Sequence, residues 1–285
     1  MTEYGKIFKK FRESRGLKMK EVAGSNLSTS HLSRFENGES ELTISKLMTA
    51  LYEINMPIEE FMYAANDFHQ DELNELLKDV RECVNNKDVE RLKAVLIKQQ
   101  ENLKEGRIFH HLNVILVKIR LQDLSGETYY SKADLVYLTN YLFKVEYWGF
   151  YELLLFTNTI DVFKHETFMV LSREMMRRSD FYKEIPRNRR LISRMALNSF
   201  ITCIERDKLI DALYFEKQLS ICHFDETEIY ERLVFHYAQN LFVYKKYKTT
   251  LAIIEMKKSV AAMKLAGSLH IAETYENHLQ KILEG

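Results

Sequence analysis

The run Ser28-Thr-Ser-His-Leu-Ser-Arg-Phe-Glu-Asn-Gly38 leaves the chain few choices, because a polar cap, two apolar residues three apart and an Asn-Gly stop together bound one short helix. Ser28 can accept a hydrogen bond from an orphaned backbone N–H at the helix start. Leu32 and Phe35 share an inward face, and Asn37-Gly38 supplies a left-handed exit. The flanking segments agree. Tyr4, Ile7, Phe8 and Phe11 form the 3.6-period stripe of a preceding helix, and Met19, Val22 and Ala23 form a short one after Gly16-Leu17. Thr43 caps a fourth helix, and Pro57 opens a fifth at the first helical position, where its missing N–H is no loss. Five short helices therefore fill residues 3–66, and the second and third read as a helix-turn-helix.

The third helix of such a unit enters the DNA major groove, so its small polar outer side is the place to seek base contacts. Thr29, Ser30 and Ser33, with His31 beside them, are expected near base edges; Arg34 suits a base or a phosphate; Lys9 and Lys18 suit the DNA backbone; Asn37 stands at the helix end. Net charge does not advertise nucleic acid, being zero for the whole chain, with nine Lys/Arg against nine Asp/Glu in the first 66 residues. The distribution does. Lys6, Lys9, Lys10, Arg12, Arg15, Lys18 and Lys20 crowd the first two helices, while the glutamates lie mainly from Glu36 onward, which gives phosphates one basic edge. The bland alternatives are a solvated charged face and an all-helical domain that binds protein.

Residues 1–66 look like the helix-turn-helix of lambdoid phage repressors (the XRE type), and His31-Leu-Ser-Arg-Phe-Glu-Asn-Gly-Glu-Ser40 resembles the Rgg/GadR/MutR family of regulators. The broader fold implies that an arginine of the first helix pairs with the glutamate of the recognition helix. Arg12 and Glu36 hold those places in this sequence.

About 220 residues remain, more than one typical domain. Two prolines and nine glycines in 285 residues leave long helical segments unbroken. Helix starts near Gly149, Arg187, Glu226 and Gly267 recur every 38 to 41 residues with two helices in each interval, which is solenoid spacing. Asp71 to Val84, Val89 to Lys104, Ile108 to Leu121 and Ala133 to Val145 continue the alternation upstream, and Ser268 to Leu283 reads as a capping helix. The expectation is an all-α chain: residues 1–66 a five-helix helix-turn-helix domain, and residues 67–285 a right-handed α-solenoid of tetratricopeptide-like repeats, the fold that the resemblance implies. The aliphatic last repeat, Tyr244 to Leu283, has no successor to cover it and is expected to form a homodimer interface.

The resemblance also implies a ligand class, short hydrophobic peptides, bound on the concave face of the repeats. Polar residues within apolar stripes are the candidates: Asn113 between Phe109 and Leu116, Asn158 with Leu154, Leu155 and Val162, Asn198 with Met195 and Ile201, and Arg232 with Ile229 and Phe235. By resemblance, Asn158 within Leu155-Phe-Thr-Asn-Thr159 takes the place of a peptide-contacting asparagine, with Asn198, Tyr230 and Arg232 carried over less closely. The alternative for each is an interhelical hydrogen bond.

Enzyme signatures are missing: no GxxxxGK[ST] loop, no GxSxG elbow, and His165-Glu-Thr-Phe-Met169 lacks the second histidine of HExxH. Cys222-His-Phe-Asp225 mixes metal-ligand types without a second cluster at zinc spacing, so no metal or cofactor is expected. Three cysteines, Cys83, Cys203 and Cys222, no signal segment and no apolar run near 18 residues point to a cytoplasmic protein with no membrane span. The expected function is a peptide-responsive transcription regulator acting on double-stranded promoter DNA. Two other readings stay open: a repressor whose helical domain only oligomerises or senses a small molecule, and a scaffold.

Overall fold

The computed structural model describes residues 4–24, 26–68, 72–180, 184–221 and 224–284, and within them the chain is helical with no strand beyond a single bridge between Gly24 and Leu27. It divides into two compact units, residues 1–95 and 96–285.

The first unit opens with five helices, α1 (Tyr4–Ser14), α2 (Met19–Val22), α3 (Thr29–Glu36), α4 (Ile44–Glu53) and α5 (Ile58–Ala65), followed by α6 (Glu72–Asn85). Their apolar stripes converge. Phe8, Leu32, Ala50 and Phe61 are completely buried, the Phe8 and Phe35 rings meet tilted at 6.1 Å, and Tyr4 meets Phe61 at 6.1 Å. Gly5 is what lets α1 approach α3, since a Cβ there would lie 1.7 Å from the Phe35 carbonyl oxygen. Thr43 caps α4 as expected, accepting from the Lys46 N–H at 3.4 Å. Pro57 stands one position earlier than the sequence reading put it. With φ −60° and ψ 142° it is the extended residue before α5, not the first helical one.

The second unit is a stack of helix pairs. After α7 (Val89–Glu101) come α8 (Ile108–Ser125), α9 (Lys132–Lys144), α10 (Phe150–Thr157), α11 (His165–Arg178), α12 (Pro186–Glu205), α13 (Leu209–Ile221), α14 (Ile229–Tyr247), α15 (Thr250–Leu265) and α16 (Leu269–Glu284). The sequence period reappears as spatial register. Side chains of α8 and α10 meet 38 residues apart (Asn113–Tyr151), α10 and α12 meet 38 apart (Thr157–Met195), α12 and α14 meet 37 apart (Arg194–Glu231), and α14 and α16 meet 41 apart (Tyr237–His278). Alternate helices thus run parallel, each shifted by about one repeat.

The aromatic run at 147–151 works as a joint between repeats. Trp148 is fully buried against Phe156 at 5.4 Å, and its backbone N–H donates to the Arg178 carbonyl at 3.2 Å. The Arg178 guanidinium reaches back to the carbonyls of Phe143 (2.9 Å) and Val145 (2.5 Å), which the end of α9 leaves without helical partners. Of the Cys222-His-Phe-Asp225 segment, Cys222 and His223 lie outside the described residues.

Candidate functional site

The recognition helix is built as its sequence demands. Ser28 is extended (φ −72°, ψ 152°), and its hydroxyl accepts from the His31 N–H at 3.3 Å; at the far end Gly38 takes φ +77°, a left-handed value open to glycine at no cost. Leu32, Phe35 and Glu36 turn inward, which leaves Thr29, Ser30, Arg34 and Asn37 exposed and Ser33 half-buried. Lys18, exposed at the start of α2, and Lys9, half-buried on α1, lie on the helices before it.

The orientation of α3 is fixed by a buried ion pair. Arg12 Nε donates to Glu36 Oε1 at 2.6 Å and Nη2 to Oε2 at 2.7 Å, a two-pronged contact that joins α1 to α3. A third prong, Nη1, donates to the Leu17 carbonyl at 2.6 Å and ties down the loop into α2. The Glu36 hydrogen bonds raise the guanidinium pKa above its already high ordinary value, against the opposing effect of burial.

His31 has a different position from the one expected of it. Its Nε2 lies 3.3 Å from the Glu41 carbonyl and its Nδ1 3.4 Å from Lys46 Nζ, an arrangement in which Nε2–H donates and Nδ1 accepts. Both ring nitrogens are engaged within the domain, so the ring fastens the start of α4 to α3.

In the repeats the candidate polar residues have separate environments. Asn113 is buried, and its Oδ1 accepts from the Tyr151 hydroxyl at 3.1 Å. Asn158 closes α10: its Nδ2 donates to the Leu154 carbonyl at 2.9 Å, and its own carbonyl accepts from Arg120 Nε at 2.7 Å and from Nη2 of the same guanidinium. The side-chain Nδ2 therefore has a partner within its own helix, neither the peptide contact nor the interhelical bond that the sequence offered. Asn198 is exposed on α12 and does not sit in a buried stripe. Tyr230 is half-buried, with the Arg194 guanidinium 5.2 Å above its ring and Arg194 Nε 2.9 Å from Glu231. Arg232 and Phe235 line an open hollow of about 300 Å³ between α13 and α14, together with Leu219, Phe224 and His236.

Comparison with known proteins gives these parts a common origin. Residues 8–61 match the helix-turn-helix family, and residues 93–277, more than half of the chain, match the C-terminal domain of the HTH-type transcriptional regulator Rgg. The chain belongs to the Rgg family. Its structure is similar to that of the SHP pheromone receptor Rgg2 (C45S) of Streptococcus dysgalactiae, with 26% identity, a TM-score of 0.83 and coverage of 98% of this chain and 99% of that one. It is also similar to a protein of Listeria monocytogenes EGD-e (24% identity, TM-score 0.86, coverage 99% and 97%) and, in fold, to PrgX in its complex with cCF10 (14% identity, TM-score 0.82, coverage 100% and 93%). The family is one of transcriptional regulators, not of enzymes.

One feature of this Rgg-family chain escaped the sequence reading. Arg187, Arg190, Arg194 and Asn198 stand at i, i+3, i+7 and i+11 of α12, all exposed, and make one polar line along the helix. Arg187 lies 3.2 Å over the Phe150 ring at the start of α10, while Arg194 reaches α14. The signal was present as a spacing of arginines.

Proposed function

We propose that this Rgg-family regulator reads promoter DNA with α3 and is controlled by a short hydrophobic peptide bound to its helical repeats. Support comes above all from the likeness to a pheromone receptor over nearly the full length of both chains, at 26% identity. DNA reading is assigned to residues 1–66, and peptide binding and dimerisation to residues 67–285. Thr29, Ser30 and Ser33 contact bases, while Arg34, Lys18, Lys9 and Asn37 hold the backbone; His31 acts through α4 and not on a base. The peptide runs along the parallel helices α10, α12 and α14. There the exposed line from Arg187 to Asn198 offers polar groups to an extended backbone, whereas the hollow at Arg232 and Phe235 lies between α13 and α14 and is a second place for an apolar side chain. Asn113, Asn158 and Tyr230 belong to the frame beneath it.

The dimer forms through the last repeat, where Leu251, Leu265 and Leu269 are 66%, 91% and 68% exposed at the open end of the stack. Among the described residues no helix is long and apolar enough to cross a membrane, and the protein is assigned to the cytoplasm, where its DNA is.

Fluorescence polarisation tests the reading, with a labelled synthetic copy of a short apolar peptide encoded beside the gene. The expected result is saturable binding to the full chain that weakens at least tenfold in Arg194→Ala. A chain that shifts promoter DNA in a gel but binds no such peptide would leave the repeats as an oligomerisation or small-molecule domain.

A further inference from the structure

A cavity of about 400 Å³ lies where the end of α11, the first half of α12 and the end of α13 meet, and its polar lining is rich in hydrogen-bond acceptors. Ser193 of α12 lines it. That residue is only 5% exposed, and among the described residues its hydroxyl has no hydrogen-bond partner. Buried polar groups are as a rule satisfied, so a free hydroxyl in a cavity wall points to something that enters the cavity. Ser179, at the end of α11, gives its proton to the Met175 carbonyl at 2.6 Å and keeps its lone pairs. Glu228, 6% exposed at the start of α14, accepts the Asp225 N–H on Oε2 at 3.0 Å, while its Oε1 has only a long contact, 3.5 Å, with the Arg189 guanidinium. Asp180 and Glu184 also line the cavity, which sets three carboxylates against one guanidinium, and Met176, Ile192 and Phe224 supply apolar surface.

We propose that this cavity is a second ligand site of the chain and takes a small primary amine with a short apolar tail. A primary ammonium carries three N–H donors and no acceptor, and Glu228 Oε1, Ser193 Oγ and Ser179 Oγ are acceptors for them. The charge excess selects the same class, since the three carboxylates attract a cation and repel an acid. Hydrogen bonds alone would admit an alcohol; the carboxylate of Glu228, drawn into the protein with one weakly served oxygen, favours a charged partner. The tail lies on Met176, Ile192 and Phe224. The volume is at the small end of the roughly 300–1,000 Å³ of small-molecule sites. The site is also separate from the path assigned to the peptide: with about 3.6 residues to a turn, Arg189, Ile192 and Ser193 fall on another side of α12 than Arg187, Arg190, Arg194 and Asn198.

Isothermal titration calorimetry on the full chain tests this with n-pentylamine, which is charged at about pH 7.5 as a lysine amine is, beside 1-pentanol and pentanoate of the same length. The expected result is saturable binding of pentylamine, one per chain, about tenfold tighter or more than either of the others. Glu228→Gln keeps the side-chain volume and an oxygen for the Asp225 N–H but removes the charge, and is expected to weaken pentylamine by about tenfold or more. If thermal melting shows that this variant is less stable than the parent chain, Ser193→Leu decides instead. It breaks no hydrogen bond among the described residues and puts a larger side chain into the cavity, so the heat of pentylamine binding is expected to vanish. No saturable heat with pentylamine, equal affinity for pentanol, or undiminished binding in the deciding variant would each overturn the proposal. The amine site and the peptide reading fail separately: a chain that binds pentylamine in this way and no apolar peptide would keep the first and lose the second.

Discussion

Replacing Glu36 with alanine is expected to loosen the whole DNA-reading head without touching any residue that faces DNA. Arg12 and Glu36 are 5% and 1% exposed, so the substitution strands a buried guanidinium whose Nε and one Nη then face a void. Breaking a buried pair from one side typically costs about 3–5 kcal/mol. The first compact unit, residues 1–95, is expected to have about 5–14 kcal/mol in all, at about 0.05–0.15 kcal/mol per residue. The loss is thus a large share of the unit's stability. Since about 1.4 kcal/mol is a factor of ten, protection of the α1 and α3 amides from hydrogen exchange should fall by about 150- to 5,000-fold, while α12 and α14 keep theirs. Removing both charges, as Arg12→Met with Glu36→Leu, should recover most of the protection, because the penalty comes from the unpaired charge more than from loss of attraction. The assay is native-state hydrogen exchange read by mass spectrometry on the full chain. Less than a tenfold change in Glu36→Ala, or a double variant no better than the single one, would refute the view of the pair as the brace between α1 and α3.

Three further outcomes follow from the same geometry. Arg34→Ala should weaken binding to all DNA sequences alike and reduce the slope of log affinity against log salt by about one; an unchanged slope would remove Arg34 from the phosphate contacts. Gly5→Ala should destabilise the head by about 3 kcal/mol in thermal melts, because the added Cβ meets the Phe35 carbonyl at 1.7 Å, whereas an open helical site would gain about 1 kcal/mol from the same change. The sign alone decides between them. Burial pushes the Cys203 thiol up to about 12, and the thiolate is the reactive form, so at pH 8 only about one molecule in ten thousand is poised to react and Ellman's reagent should label Cys203 after denaturation only. Rapid labelling in the folded chain would contradict its burial.

Local chemistry made the recognition helix legible in the sequence. A cap, a stop and two apolar residues act within a few positions of one another, so Ser28, Gly38, Leu32 and Phe35 define α3 wherever it packs. The repeat period was legible for a similar reason: helix length and break spacing are set along the chain, and the interval of 38 to 41 residues returned as side-chain contacts of that separation. Other assignments depended on what arrives from far away in the sequence. The partner of Asn113 is Tyr151, 38 residues on, and the backbone end that Asn158 exposes is met by Arg120 from the preceding repeat. The contacts of the His31 ring with Glu41 and Lys46 come from residues 10 and 15 positions on. On α4, Ile44, Leu47, Met48, Leu51 and Tyr52 form one broad apolar arc in the sequence. Packing against the core covers Leu51 and part of Leu47 and leaves the outer three open, because a helix has only one side that its neighbours can reach. Periodicity along a chain fixes which residues share a face; which face stays uncovered is a property of the assembled core, and only the tertiary structure contains it.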